Sequence, residues 1–270
     1  MKVMVLCGGM GTRLREETQF IPKPMVTIGE RPILWHIMKL YSHFGFNQFV
    51  LCLGYKGDII RRYFMEYDIL NHDFTVALGT KQIELHDRLH DEHQWEVTLA
   101  ETGAETMTGG RILRAMRYVN EGPFLVTYGD AVADLDLKEL VRYHHRMGKL
   151  ATVTAVQSPS RFGRIDFDVS GRLAEGFLEK PQAGADWING GFFVFDERVR
   201  DYLHGDDCVL ERDALAQLAQ DGELAVYKHT GFWHCMDTLR EVELLRSQWA
   251  SGQARWPLWN GSHRVAPPRA

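Results

Sequence analysis

The chain has 270 residues, of which 45% are hydrophobic, so it can bury a large core and does not have the composition of a disordered protein. Its formal net charge of −5 excludes a protein that wraps nucleic acid by bulk electrostatics, because that requires a basic face. Its apolar runs are too short for a signal-peptide core or a membrane span. We therefore expect neither a nucleic-acid nor a membrane partner.

The first fifty residues have the order of a parallel α/β unit. A short β-branched, apolar run over residues 2–7 ends at glycines, as a buried strand does before a loop. Apolar residues at helical spacing predict a helix over residues 32–44, and residues 49–53 return to a buried strand. Strand, helix and strand in this order predict a βαβ unit and a parallel sheet.

The remaining elements continue this alternation, with one interruption. A helix over residues 56–67 is followed by a polar, His-containing stretch over residues 68–94, which we interpret as an insertion. The later predicted elements are a strand at 96–101, a helix at 109–119, strands at 124–128 and 151–157 around a helix at 137–147, a hairpin at 165–168 and 172–177, a strand at 191–195, a helix at 208–220, a strand at 224–228 and a helix at 238–249. We expect one domain over residues 1–250 and a partly mobile tail over residues 251–270.

The four cysteines predict the redox compartment. They lie far apart in the sequence and form neither a CxxC pair nor the His spacing of a structural zinc site. We interpret Cys7, Cys52, Cys208 and Cys235 as reduced thiols of a cytoplasmic protein.

A glycine-rich segment from Gly8 to Arg13 follows the first strand. Glycines allow a backbone to approach a polyphosphate closely, with amides directed at its oxygens. Leu14 stands where a dinucleotide fingerprint has its third glycine, and no Gly-Lys-Ser/Thr follows as in a Walker loop. A tight turn explains one or two glycines but not Thr12 and Arg13 beside them. The segment therefore predicts a phosphate site of another kind.

Two further residues fit such a site. Lys23 lies between Pro22 and Pro24, which restrict the backbone on both sides and present a cation rigidly, although an exposed lysine in a rigid loop is the alternative. Asp130 follows the predicted strand at residues 124–128, and ligands of open α/β sheets bind at the carboxyl ends of strands.

Together these motifs resemble the sugar-1-phosphate nucleotidyltransferases. The pattern is Gly-Gly-x-Gly-Thr-Arg-Leu from Gly8, Pro-Lys-Pro-Met from Pro22, Gly-Asp at 129–130 and Glu-Lys-Pro from Glu179. Further segments resemble the cytidylyl-transferring members; these segments are residues 32–39, 54–57, 107–111, 127–130, 161–163, 188–193 and 231–240. The resemblance as a whole covers roughly residues 1–256.

The resemblance implies the nucleotide-diphospho-sugar transferase fold, a Rossmann-like, mostly parallel mixed sheet with helices on both faces. It also implies a cytidylyltransferase that joins CTP to a sugar 1-phosphate, either glucose 1-phosphate or a related acceptor, and releases pyrophosphate. An oxygen of the acceptor phosphate is already an anion and attacks the α-phosphorus of CTP in line, so no general base and no nucleophilic side chain is needed. The protein would align two anions and neutralise the developing charge.

The resemblance also assigns residues to these tasks. The groups that neutralise charge during catalysis would be Arg13, Lys23 and Lys180. The residues that hold CTP would be Gly8, Gly9, Gly11, Thr12, Arg13, Lys23, Thr102, Gly103, Gly109, Gly110 and Arg111. The residues of the acceptor pocket would be Tyr128, Phe162, Gly163, Glu179, Lys180, Asn189 and Gly190. The Mg²⁺ ligands would be Asp130 and Asp237, which accords with the preference of this ion for hard oxygen ligands.

Several alternatives stay open at this point. Either aspartate has a second interpretation as a helix N-cap, and Arg111 has one as a solvated residue at a helix start. A uridylyl- or thymidylyltransferase would share every phosphate contact. A non-catalytic nucleotide-sensing subunit is a further alternative, although the presence of both aspartates, Lys23 and Lys180 argues against it.

Two positions depart from the pattern of the family near the acceptor pocket. Ala131 stands where glycine is usual, and Arg164 where a small or apolar residue is usual. An added guanidinium favours a more anionic acceptor if it faces the pocket, and has no role if strand alternation turns it outward.

We also expect a homo-oligomer, trimer-based as the resemblance implies, with residues 68–94 at a subunit contact. This stretch has apolar residues spread among polar ones, which suits a surface that assembly covers. A metal site is the alternative for its histidines, but their spacing fits no compact chelate; they include His72, His86, His90 and His93.

Overall fold

The structure is a computed structural model that describes residues 1–11, 14–86, 92–119, 121–157, 164–167, 174–178 and 186–260. The helices are α1 Arg15–Thr18, α2 Ile33–His43, α3 Gly57–Met65, α4 Tyr67–Asn71, α5 Thr108–Ala115, α6 Leu137–Met147, α7 Leu215–Gln220 and α8 Leu239–Ala250. The strands are β1 Val3–Leu6, β2 Thr27–Ile28, β3 Arg31–Pro32, β4 Gln48–Leu53, β5 Phe74–Ala77, β6 Gln82–Leu85, β7 Glu96–Glu101, β8 Phe124–Tyr128, β9 Ala131–Ala133, β10 Ala151–Gln157, β11 Arg164–Phe167, β12 Ala174–Leu178, β13 Trp187–Phe195, β14 Leu224–His229 and β15 Trp233–Cys235.

A seven-stranded mixed sheet forms the centre, in the order β14-β10-β13-β8-β1-β4-β7. Strand β1 pairs in parallel with β4 on one side and with β8 on the other, β4 with β7, and β10 with β14. Strand β13 runs antiparallel between β8 and β10. Because successive strands leave β1 in opposite directions, the carboxyl end of β1 is a topological switch point, where open α/β sheets bind their ligands.

Helices cover both faces of this sheet. Val3 and Val5 of β1 belong to one core cluster, which includes apolar residues of α2, α6 and α8. Met4 and Leu6 point to the opposite face and belong to a second cluster with residues of α5 and α7. The alternation along one buried strand thus fills two cores. The predicted fold class is confirmed. Among the described residues, none of the helices has an apolar stretch of the length that a membrane span requires.

Four two-stranded ribbons lie outside the sheet: β2–β3, β5–β6, β9–β15 and β11–β12. The polar stretch that we interpret as an insertion contains α4 and the β5–β6 hairpin, in which Phe74 pairs with Leu85. Strands β11 and β12 form the hairpin predicted from the sequence, with Arg164 opposite Leu178. No sequence pattern indicated the three-residue strands β9 and β15, which pair with each other.

The chain after α8 packs against the domain as far as residue 260. Trp256 is fully buried, and Ala254 and Leu258 are nearly so. The indole Nε1 of Trp256 donates to Nδ1 of His36 in α2 at 3.4 Å. We expected a partly mobile tail from residue 251; three apolar residues of its described part, Ala254, Trp256 and Leu258, are instead buried, and the indole of Trp256 contacts α2.

Candidate active site

The predicted phosphate segment and Asp130 meet at the carboxyl ends of β1 and β8. Gly8 follows β1, and Gly129 and Asp130 follow β8. An open cavity of about 350 Å³ lies there. Its lining consists of Leu6, Cys7, Gly8, Gly9, Gly11, Lys23, Pro24, Thr106, Met107, Thr108, Arg111, Tyr128, Gly129, Asp130 and Asp237.

Lys23 lies on the floor of this cavity, between the two predicted metal ligands. Its Nζ is 2.5 Å from Oδ2 of Asp130 and 2.6 Å from Oδ1 of Asp237. Pro22 and Pro24 flank it on a single 3₁₀ turn, Lys23–Met25. Burial lowers the pKa of Lys23, but Asp130 and then Asp237 outweigh it, so the pKa is raised above its usual value. The Lys23 ammonium is therefore a cation fixed by two carboxylates rather than one surrounded by water.

The β9–β15 ribbon brings the two aspartates together. Ala131 pairs with Cys235, and the amide of Met236 donates to the carbonyl oxygen of Asp130 at 2.9 Å. The two carboxylates therefore flank one end of the same ribbon. This arrangement depends on pairing between residues more than a hundred positions apart, which sequence patterns do not show.

Neither aspartate serves as a helix cap. Thr238 is the N-cap of α8, where it forms a capping box with Glu241, and Glu241 also accepts from the amide of Asp237 at 2.8 Å. Asp130 lies between two strands. The alternative interpretation of these residues as caps is therefore wrong.

The carboxylate pair fits a hard divalent cation. Both carboxylates already converge on one cation, the Lys23 ammonium, and carboxylate oxygens suit Mg²⁺. In the described part of the chain, no group of three or more His, Cys, Asp or Glu side chains is placed to hold a metal. A metal bound by this pair would complete its coordination with phosphate oxygens and water.

Arg111 is buried beneath the glycine segment. Its side chain is only 4% exposed, and burial lowers its pKa. Its two terminal nitrogens donate to five oxygens at 2.7 to 3.2 Å, which belong to Gly8, Leu53, Thr102, Gly103 and Ala104. The guanidinium thus ties together the ends of β1, β4 and β7. It is not the solvated arginine that a helix start allows.

This arginine also explains two of the glycines. A Cβ atom at Gly8 or at Gly54, the residue after β4, would overlap the guanidinium of Arg111. Among the described residues other than its two chain neighbours, none has an atom within 4 Å of a Cβ built at Gly9, which is exposed and lines the cavity. The two adjacent glycines therefore have different physical reasons. The absence of a side chain at Gly8 makes room for the Arg111 guanidinium, and its absence at Gly9 leaves space in the cavity.

Four of the residues predicted to hold CTP, Thr102, Gly103, Gly109 and Gly110, do not line the cavity. The carbonyl oxygen of Cys208 accepts from the amides of Gly109 and Gly110 at 2.9 and 3.2 Å, and a Cβ atom at either glycine would overlap the segment 205–208. Thr102 donates to the carbonyl oxygen of Leu53 at 2.6 Å. Gly103 has a φ of +95°. These residues position the cavity wall, while the neighbouring Thr106, Met107 and Thr108 line it.

The predicted acceptor side is only partly described. Tyr128 lines the cavity, and Nδ2 of Asn189 donates to its hydroxyl at 3.2 Å. The carbonyl oxygen of Gly190 accepts from Nε1 of Trp233 at 2.8 Å. Ala131 is buried in β9 and does not line the cavity. The predicted residues outside the described part are Thr12, Arg13, Phe162, Gly163, Glu179 and Lys180.

Comparison with known proteins identifies the family. A family model for nucleotidyl transferases matches residues 2–238. Glucose-1-phosphate cytidylyltransferase of Salmonella typhi is 46% identical over 260 residues, which are 96% of this chain and the whole of that protein. The probable glucose-1-phosphate cytidylyltransferase of Bacillus subtilis (strain 168) is 44% identical over the same shares.

A solved structure agrees in fold. HddC from Yersinia pseudotuberculosis has a TM-score of 0.66 and 24% identity, and the match covers 92% of this chain and 99% of that one. At this identity the likeness concerns the fold alone. The match of the family model and the near full-length relatives carry the conclusion that the chain belongs to the nucleotidyl transferase family.

Proposed function

We propose that this protein is a cytidylyltransferase that joins CTP to a sugar 1-phosphate and releases pyrophosphate. The observation that carries the proposal is the convergence of Lys23, Asp130 and Asp237 beside the glycine segment, at the switch point of the sheet. The choice of CTP rests on the two relatives at 44 to 46% identity, whose names specify this reaction.

The chain's own residues would act by alignment and charge compensation. The open face of Gly9 admits the triphosphate, and Arg111 fixes the backbone beneath it. Lys23 would neutralise charge at the α-phosphate, on which an oxygen of the acceptor phosphate forms a bond as pyrophosphate leaves. Fixed groups of this kind stabilise a transition state because they need no reorganisation during the reaction. Arg13 and Lys180 would add two further cations, as the resemblance implies.

Asp130 and Asp237 would together hold Mg²⁺, which would supply positive charge to the phosphate oxygens. Lys23 already pairs with both carboxylates and compensates one of their two charges, so its ammonium would exchange partners when a cation and a nucleotide bind. The aspartates would then face the metal and the lysine would face phosphate.

The direct test is pyrophosphate release by the purified protein with each of the four nucleotides and a panel of sugar phosphates. We expect CTP to exceed UTP by about 10- to 1,000-fold in kcat/KM, because the cytosine amine satisfies buried acceptors that uracil would leave unpaired. Equal values for the two nucleotides would reduce the assignment to the broader family. A preference for UTP or dTTP would favour the uridylyl- or thymidylyltransferase alternative. Tight nucleotide binding without any pyrophosphate release would favour a nucleotide-sensing subunit.

We further propose that the protein is a trimer-based homo-oligomer, in which the β5–β6 hairpin lies at a subunit contact. Every residue of β5 is exposed, including Phe74 and Val76 at 39% and 41%, and Ile83 of β6 is 48% exposed. Leu78 in the connecting turn is 79% exposed. A two-stranded ribbon with exposed apolar side chains is typical of a surface that becomes buried on association.

Light scattering at micromolar concentration tests this arrangement. We expect a mass of at least three times 31.0 kDa for the natural chain and a smaller mass for the double variant Val76→Asp, Ile83→Asp. The matched control is Val226→Asp, an equally exposed apolar residue of β14, which should leave the mass unchanged. A 31.0 kDa monomer of the natural chain would rule out the oligomer, and an unchanged mass of the double variant would rule out the contact.

A further inference from the structure

Glu211 connects the two walls of the cavity. One carboxylate oxygen, Oε1, accepts a hydrogen bond from the hydroxyl of Tyr128, and the other, Oε2, accepts from Oγ1 of Thr108 at 3.0 Å. Thr108 begins α5 on the predicted nucleotide wall, and Tyr128 ends β8 on the predicted acceptor wall. Both line the cavity. Glu211 itself falls within a segment predicted as an ordinary helix and has no role among the residues that the resemblance assigns.

The local backbone places this side chain against Thr108 and Tyr128, two residues that line the cavity, although Glu211 is not itself part of the lining. Residues Leu210–Ala214 form a π-helical turn before α7 rather than the start of a regular helix. Such turns are rare and are found frequently at functional sites. The preceding segment packs directly on the glycines of α5, and the amide of Leu210 donates to Oγ1 of Thr108 at 2.9 Å. Glu211 is therefore held against α5 although its side chain is exposed.

In both of these hydrogen bonds the Glu211 carboxylate is the hydrogen-bond acceptor. The Thr108 hydroxyl accepts from the Leu210 amide, so its hydrogen is free to point at Glu211. The phenol hydroxyl of Tyr128 donates to Oε1 of Glu211. Each carboxylate oxygen thus takes one hydrogen bond from these two hydroxyls, and a carboxylate oxygen can accept two.

A negatively charged hydrogen-bond acceptor at this position discriminates between ligands according to their charge. A sugar hydroxyl donates to a carboxylate readily, and such charge-assisted hydrogen bonds are stronger than neutral ones. A carboxylate or second phosphate on the ligand has no hydrogen to donate and meets a like charge, which is unfavourable at hydrogen-bonding distance. Asn189 contacts Tyr128, so the same network reaches a second residue of the predicted acceptor wall.

We propose that Glu211 is a specificity-determining residue of the acceptor pocket, which selects a sugar phosphate with free hydroxyls and rejects one with a second anionic group. The proposal rests on the proposed function, because the ligand concerned is the acceptor of that reaction. This proposal contradicts the alternative based on Arg164, in which the pocket favours a more anionic acceptor substrate.

The test compares glucose 1-phosphate with glucose 1,6-bisphosphate in the natural protein and in Glu211→Gln, Glu211→Asp and Asp207→Asn. Asp207→Asn removes an exposed carboxylate four residues away and is the matched charge control. Binding is measured by calorimetry, with and without a non-reactive CTP analogue, and turnover is measured separately. Thermal unfolding establishes that each variant is folded.

We expect the natural protein to prefer glucose 1-phosphate by at least about tenfold in affinity. Glu211→Gln should reduce this ratio to about one third or less, with the affinity for the CTP analogue unchanged. Glu211→Asp, which keeps the charge, and Asp207→Asn should retain the preference.

An unchanged ratio in Glu211→Gln would overturn the proposal, as would a parallel loss of affinity for both ligands, since that would indicate a purely structural bond. Failure of the natural protein to bind either ligand would overturn it as well. Absence of turnover, with the expected change in the binding ratio, would instead contradict the proposed function and leave the role of Glu211 supported.

Discussion

Replacing Asp130 or Asp237 by asparagine is expected to lower kcat by about 10² to 10³, with the fold intact. Asparagine keeps nearly the same shape, but it removes one of the two negative charges that flank Lys23. The variant pocket would hold a divalent cation poorly, because the remaining donor set has a single carboxylate. Pyrophosphate release as a function of Mg²⁺ concentration, with the same four nucleotides, measures both effects.

The control for these variants is Asp201→Asn, which makes the same chemical change at an exposed position outside the cavity. Its kcat and its Mg²⁺ dependence should match those of the natural protein. The assignment of the metal ligands would be contradicted if Asp130→Asn or Asp237→Asn turned over at the natural rate with an unchanged Mg²⁺ requirement.

Gly8→Ala is expected to destabilise the protein by about 1 to 3 kcal/mol and to abolish nucleotide binding. The added methyl group would overlap the buried guanidinium of Arg111, which would then lose bonds to the ends of β4 and β7. Denaturant unfolding gives the change in free energy. The double variant Gly8→Ala, Arg111→Ala should be less destabilised than the sum of the single variants, because the overlap is absent.

Gly9→Ala is the matched substitution one residue along the chain. It should change the free energy of unfolding by less than about 0.5 kcal/mol, since no described residue other than the chain neighbours lies within 4 Å of the new Cβ atom and the position is exposed. The methyl group would project where phosphate oxygens are proposed to approach, so nucleotide affinity should fall. If Gly8→Ala and Gly9→Ala destabilised the protein equally, the separate reasons given for the two glycines would be wrong.

The parts of the fold that were predictable from sequence are those with local patterns. The apolar run of β1 and the strand at Phe124–Tyr128 are buried on both faces, and α2 shows its apolar positions at helical spacing. Glycines and a carboxylate that follow such strands are enough to indicate the position of the site, because ligands of open α/β sheets bind at the carboxyl ends of strands.

The parts that escaped prediction depend on distant contacts. The ribbon that aligns Asp130 with Asp237 has three residues in each strand, too few for any periodicity. The burial of Arg111 contradicts the usual preference of arginine for solvent and follows from carbonyl groups at or just beyond the ends of three strands. Glu211 lies on a turn whose irregular hydrogen bonding leaves no signature in an otherwise helical segment.

The contact between Lys23 and Asp237 spans 214 residues, and that between Lys23 and Asp130 spans 107. Closing such long loops is slow, because their conformational entropy is lost before the contact forms. During synthesis the glycine segment and Lys23 emerge before the second carboxylate, Asp237, which arrives only after a further 214 residues have been added. Trp256, which packs on His36 across 220 residues, arrives later still. The proposed reaction centre is therefore expected to form among the last steps of folding, and a nascent chain that ends before Asp237 would have the predicted phosphate-binding segment without both predicted metal ligands.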